Sequence, residues 1–153
     1  MSDTSQQLTL EQAATHLLEE CRMVLPGIQA LFGFQLVAVF SNGFPALTAG
    51  EQLLHLIAIL CVVLSVALVM APAALHRLRE PRRISAQFLR LSSRLLMLGM
   101  APLAVGTTLD VYIVARVITH SVTDGVIAAA LALAAFAALW AVFPSVARLE
   151  DDR

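Results

Sequence analysis

Long uninterrupted apolar runs, set apart by short polar punctuation, dominate this chain. They cover about 23–41, 53–75, 95–117 and 126–147. Each is close to the ~20 residues that cross ~30 Å of hydrocarbon at the ~1.5 Å rise of a helix. The runs lack the period-two alternation of a transmembrane strand, so they read as helices with all backbone bonds internal. The pattern predicts an all-α polytopic membrane protein, four transmembrane helices in an up-down bundle. The punctuation agrees: Ser41-Asn42-Gly43-Phe44-Pro45 marks a turn after the first run, and Thr123-Asp124-Gly125 precedes the fourth. Thr48 and Glu51 have capping-box spacing, which places the start of the second helix there. Glu80-Pro81 interrupts the chain after the second run. Pro26, Pro72, Pro102 and Pro144 lie in or beside the runs, where a missing amide bends a helix unless neighbours compensate.

Two amphipathic stretches extend the bundle. In the N-terminal segment 1–22, Leu10, Ala14, Leu17 and Cys21 recur at helical spacing, with Glu11, Glu19, Glu20 and Arg22 on the other faces. This predicts an amphipathic N-terminal helix capped near Thr9 and Gln12. In the link 76–94, Ile84, Phe88, Leu91 and Leu95 form a stripe beside Arg83, Gln87, Arg90 and Arg94, which predicts an interfacial helix leading into the third run. Those arginines reach headgroups and fix topology, or, on a sharper reading, Arg83, Arg90 and Arg94 contact anionic lipid.

Composition strengthens the membrane reading. Of 153 residues, 59% are hydrophobic and 14% charged, against roughly 45–50% and about 25% in a soluble domain. Such a chain cannot cover itself with polar surface. A net charge of -1 and two cysteines argue against a nucleic-acid binder and a disulfide scaffold. Cys21 and Cys61 fall at different depths, so no disulfide between them is expected.

Charge also orients the bundle. The ten basic residues are all arginines, and six of them lie in the link 76–94. Arg22, Arg148 and Arg153 fall on the same side, leaving only Arg116 on the other. The positive-inside rule places both termini, the link and the tail 148–153 in the cytoplasm, with the loops around Asn42 and Ser121 outside. Trp140 and Phe143 then mark the cytoplasmic interface. Residues 1–10 lack the features of a signal peptide, so the first run is expected to be an uncleaved anchor.

Asp110 is the most informative single residue, because a carboxylate deep in a span is costly and rarely faces lipid. Gly99 and Gly106 share its helix face and predict close approach of another helix. Asp110 is either a proton or cation site, or a structural acid bonded to Gln29, Gln35, Thr107 or an arginine. Arg116 lies about 120° away on the same helix and needs another neighbour. Glu51 with His55, and His120 with Asp124, are i,i+4 pairs that could converge on a divalent metal if their helix ends adjoin; otherwise they are polar residues at helix ends. Glu19, Arg22, His76 and Arg77 could form a cytoplasmic structural or gating cluster. No nucleophile triad, phosphate loop or dinucleotide fingerprint is present, so neither an enzyme nor a bound cofactor is expected. The alanine-rich fourth run reads as a packing helix or an oligomer surface, and membrane lipids and a second copy are the expected partners.

At Arg22, at Leu25-Pro26-Gly27-Ile28-Gln29-Ala30-Leu31-Phe32-Gly33-Phe34, and at Ala71-Pro72-Ala73-Ala74-Leu75-His76-Arg77, the chain resembles a bacterial family of small four-span proteins classed as a domain of unknown function. The resemblance covers most of the chain and implies a multi-pass protein of the bacterial inner membrane. It carries over no catalytic residues. Some relatives bear the automatic label sodium:proton antiporter, although this chain has one deep carboxylate and no paired broken helices. Three functions follow as expectations: a proton- or cation-coupled transporter or channel using Asp110, a structural or accessory subunit, and a lipid- or metal-responsive regulator.

Overall fold

The computed structural model describes residues 2–79 and 85–142. Four helices follow one another: α1 over Ser2–Val39, α2 over Ala49–Arg79, α3 over Ala86–Thr119 and α4 over Val122–Ala137. A 3-10 turn at Phe44–Ala46 lies between α1 and α2, and α4 runs on into one π-helical turn, Ala138–Val142. Among the described residues, four helical stretches are long and apolar enough to cross a membrane: Gln12–Val39, Ala49–Leu78, Ala86–Thr119 and Val122–Trp140.

Local chemistry sets the ends. Glu51 Oε2 accepts from the Thr48 N–H and hydroxyl, both at 2.8 Å, while the Glu51 N–H donates to Thr48 Oγ1 at 3.3 Å. This reciprocal box supplies partners for amides that the first turn of a helix leaves free. Gln52 ties the preceding 3-10 turn to α2 through the carbonyls of Phe44 and Leu47. Ser85 caps α3 by accepting from the Phe88 N–H, and Ser121 caps α4 by accepting from the Asp124 N–H. Between α3 and α4 only His120 and Ser121 intervene, and His120 takes a left-handed φ of 55° that reverses the chain.

Two helices begin well before their apolar runs. α1 carries the expected amphipathic N-terminal helix from Ser2 straight into the first span, passing Thr9 and Pro26 without a break. The reason is a buried seam at seven-residue intervals, Ala14, Cys21, Ile28 and Gln35, which continues across the polar-to-apolar boundary. α3 starts at Ala86, so the expected interfacial helix and the third span are one element. An apolar run marks where hydrocarbon begins, and a helix is free to project past that point.

α2 and α3 form the most extensive contact; α4 packs on α3, and α1 packs on α2 and, less closely, on α3. Along α2, Glu51, His55, Ala58, Val62, Ser65, Val69 and Pro72 are buried at alternating steps of four and three. Along α3, Ser92, Gly99, Gly106 and Ile113 repeat every seven. A 3.5-residue repeat keeps antiparallel neighbours in register at crossings of about 20°. The small residues fix the approach: a methyl on Gly106 would lie 2.9 Å from the Ala58 carbonyl oxygen, and one on Gly99 would lie 3.2 Å from Val69 Cγ2. Gly125 lets α4 close on the Arg116 stem and the Tyr112 ring. The outside of the bundle is apolar, with Leu60, Leu64, Met97 and Leu131 each more than half exposed. A soluble monomer rarely presents so much apolar surface, whereas lipid tails satisfy it.

Candidate functional site

The loop end of the bundle, where α1, α2 and α3 converge, buries most of the polar chemistry. Gln35 comes from the last turns of α1, His55 from the second turn of α2, and Asp110 from α3 about 14 Å from its C-terminal end by helical rise. Gln35 Nε2 donates to Asp110 Oδ2 at 2.6 Å. His55 Nδ1 lies 3.2 Å from Asp110 Oδ1, and His55 Nε2 lies 3.0 Å from the Gln35 backbone oxygen. Phe44 from the 3-10 turn closes edge-on over the imidazole, with ring centroids 5.6 Å apart.

These contacts dictate a proton count. The Gln35 carbonyl can only accept, so a hydrogen bond to it needs the tautomer with hydrogen on His55 Nε2. A neutral imidazole with hydrogen on Nε2 has a bare Nδ1, and an ionised carboxylate also only accepts. Two acceptors at 3.2 Å repel each other. Both His55 contacts are attractive together only when Nε2 carries hydrogen and a second proton lies between Nδ1 and Oδ1; in the other neutral tautomer Nδ1 donates to Asp110 and the mismatch moves to Nε2 and the Gln35 carbonyl. The His55 and Asp110 side chains are 8% and 18% exposed, so little water is available to relieve the mismatch if that proton leaves.

Nearer the loop end, Arg116 Nε pairs with Glu51 Oε1. The Arg116 stem points toward α4 while its guanidinium reaches across to α2, which reconciles its different helix face from Asp110 with a partner on the same neighbouring helix. Arg116 is thereby engaged and is not a counter-ion for Asp110.

The structure therefore brings Gln35 to Asp110 but not the other expected partners. Gln29 is exposed on α1. Thr107 is half-buried with no hydrogen bond to Asp110. Of the metal quartet, Glu51 faces Arg116 and His55 faces Asp110, while His120 and Asp124 stand exposed at the α3–α4 turn. Among the described residues no group of three metal-ligating side chains converges. At the opposite end, Glu19, Arg22 and Arg77 are exposed; Glu19 sits 3.7 Å from His16, and the His76 ring leans on Phe88 instead. No ion pair among the described residues joins that cluster. Arg90 and Arg94 are exposed, and Arg83 lies outside the described residues, as do Phe143, Pro144 and the tail. Cys21 and Cys61 are free thiols. Trp140 packs on Phe136.

Sequence reasoning missed His55 as the partner of Asp110. The signal was the four-three seam on α2, which carries His55 on the same face as Ala58 and Val62 and so directs it at α3 rather than at His120.

Fold and site together define a four-helix bundle with a lipid-compatible exterior and a buried glutamine, aspartate and histidine cluster joining three of its helices. The chain belongs to the family of unknown function DUF6328, whose family model matches residues 3–144. No curated protein and no solved structure matches it.

Proposed function

We propose that this is an inner-membrane protein that takes up and releases a proton at the His55–Asp110 pair, coupled to movement of a cation. The observation that carries this reading is the contact of His55 Nδ1 with Asp110 Oδ1 at 3.2 Å, held inside a span-length bundle and braced by Gln35. A cation approaching Asp110 competes with that proton for the same carboxylate, which is the elementary condition for exchange. With the arginine-rich link in the cytoplasm, the site opens toward the outer compartment through the end bearing the loops. The sparse contact between α1 and α3 beside the site leaves room for one helix to shift, and a second copy completes a pathway that four helices alone have little room to enclose.

The test is flux in proteoliposomes loaded with a pH-sensitive dye. Wild-type protein should dissipate an imposed pH gradient when a cation gradient opposes it, and Asp110→Asn should lower the rate at least about tenfold. Retained thermal unfolding behaviour in detergent would show that the variant folds. Wild-type flux no greater than that of empty vesicles would remove the transport reading.

One observation favours a second reading, a lipid-responsive accessory subunit: Arg90 and Arg94 stand exposed on the first turns of α3, where headgroups would lie. Equal binding of wild type and the Arg90→Ala/Arg94→Ala variant to anionic nanodisc lipid would count against it.

A further inference from the structure

The site just described forms the floor of a cavity of about 430 Å³ between α1 and α3, roofed by the loop after α1. Its walls are apolar, chiefly Leu31, Phe34, Phe44, Ile113, Val114 and Val117. Its polar floor consists of Gln35, His55 and Asp110. Volume and polarity both suit an organic ligand of modest size.

The floor has more unused acceptors than donors, the second N–H of the Gln35 amide being the one donor without a partner there. Both His55 nitrogens are committed, as is the first Gln35 amide N–H. Asp110 has one protein partner on each oxygen, leaving lone pairs free, since a carboxylate can accept about four hydrogen bonds. Gln35 Oε1 is buried without a partner, and Gln35 as a whole is 3% exposed. An unpaired buried acceptor costs free energy until a donor arrives. A ligand that supplies N–H donors, a positive charge and an apolar body matches these acceptors and walls. An anion meets the Asp110 carboxylate and no cationic side chain, because Arg116 is held by Glu51 and does not line the cavity. A bare metal ion finds too few oxygens among apolar walls to replace its water.

We propose that this cavity binds an amphiphilic organic ammonium ion, with its N–H groups on Asp110 and Gln35 Oε1 and its apolar substituent between α1 and α3. The proposal rests on the proton-site reading above and names the cation. Binding and deprotonation are linked: the ammonium docks on the Asp110 carboxylate with an N–H shared by the bared His55 Nδ1, in place of the proton, which leaves to water at the cavity mouth. Charge is conserved, with one cation in and one proton out. The titratable and charged groups around Asp110 are His55 on α2 and, nearer the loop end, Glu51 on α2 paired with Arg116 on α3. The facing turns of α1 and the loop after it carry none, and Asp124 of α4 is exposed at the α3–α4 turn.

The test uses the full chain in phosphatidylcholine nanodiscs, titrated calorimetrically with 3-phenylpropylammonium, its neutral isostere 3-phenylpropanol, and 3-phenylpropionate. Empty nanodiscs correct for partition. The ammonium should bind saturably, about tenfold or more tighter than the alcohol, with the carboxylate not binding. Titration in two buffers of different ionisation enthalpy should report about one proton released per ammonium bound. Asp110→Asn should weaken binding at least about tenfold. Val117→Trp, which fills the wall and leaves the floor intact, should abolish binding without removing proton uptake. An ammonium no tighter than the alcohol, or undiminished binding to Val117→Trp, overturns the proposal. Infrared difference spectra on a pH jump separate the two readings. A carboxyl or imidazole band lost in Asp110→Asn or His55→Gln, with no ammonium binding, overturns this proposal and leaves the proton site standing; absence of both bands and of binding overturns the two together.

Discussion

Glu51 works at two levels with one carboxylate. Its Oε2 closes the capping box with Thr48, and its Oε1 holds Arg116. The side chain is 6% exposed and its partner 29%, so the pair is neither fully buried nor a surface pair. Removing one member of a buried pair costs about 3–5 kcal/mol, whereas exposed pairs contribute about 1 kcal/mol or less. The partial exposure of Arg116 puts Glu51→Gln between these limits, at about 2 kcal/mol of destabilisation in detergent unfolding. A double-mutant cycle with Arg116→Gln should show coupling, because the two single changes remove one shared contact. Additive effects would mean that Glu51 acts only as a cap. Thr48→Ala should then separate the roles, costing about 1 kcal/mol through the cap with the Arg116 pairing retained. The outer half of this arrangement was legible in the sequence, because a capping box is a local spacing. The Arg116 partner was not, since Glu51 and Arg116 lie on different helices and only the packing of α2 on α3 joins them. For the same reason Gln35 was one of several partners open to Asp110, and His55 was assigned to a neighbour on its own helix.

At the scale of the helix, the α2–α3 seam and the free face of α1 make opposite demands on glycine. A methyl added at Gly106 would come 2.9 Å from a backbone carbonyl of α2, which cannot move aside without shifting the helix. Overpacking of this kind costs about 1–3 kcal/mol, more than the gain of up to about 1 kcal/mol from replacing a helical glycine with alanine. At Gly33 of α1 an added methyl meets nothing within 4 Å, so only the helix-propensity gain remains. Gly106→Ala should therefore unfold at lower temperature than the parent, and Gly33→Ala at the same or a higher temperature. A harmless Gly106→Ala would mean that α2 and α3 are not in close contact there. The sequence carried this seam plainly, since Gly99 and Gly106 stand one heptad apart on the face of Asp110. It carried the helical stripes before the first and third runs, but not that each joins its span in one unbroken helix, because hydropathy reports the lipid boundary, and the backbone hydrogen bonds of α1 and α3 extend past it. Nor could spacing alone separate the metal reading of Glu51 and His55 from the observed one, because both place the two side chains on one face of α2.

Across the whole molecule, charge is segregated by end. Alternating antiparallel helices put the N-terminus and the link after α2 at one end, and the 40–48 loop and α3–α4 turn at the other. The link end holds the arginine excess, while the one arginine of the loop end is neutralised by Glu51. Loop-end polarity is supplied instead by Asn42, His120, Asp124 and the caps, none of which resists translocation as arginine does. The bundle should therefore insert in one orientation, with Asn42 outside and Gln87 inside. In a Cys21→Ala/Cys61→Ala background, Asn42→Cys should react with a membrane-impermeant thiol reagent on intact cells, and Gln87→Cys only after permeabilisation. Both positions are exposed, so neither result is confused by burial. The reverse pattern would turn the bundle over, and labelling of both positions on intact cells would mean mixed orientation. The outcome bears directly on the site. Asp110 lies about 14 Å below the loop end, on the floor of the cavity there, and more than 20 residues of α3 separate it from the link. If Asn42 is external, the cavity above His55 and Asp110 opens toward the outer compartment in the conformation described here. The exchange proposed above would then need a second arrangement, in which α1 moves relative to α3 and opens the site toward the arginine-rich end.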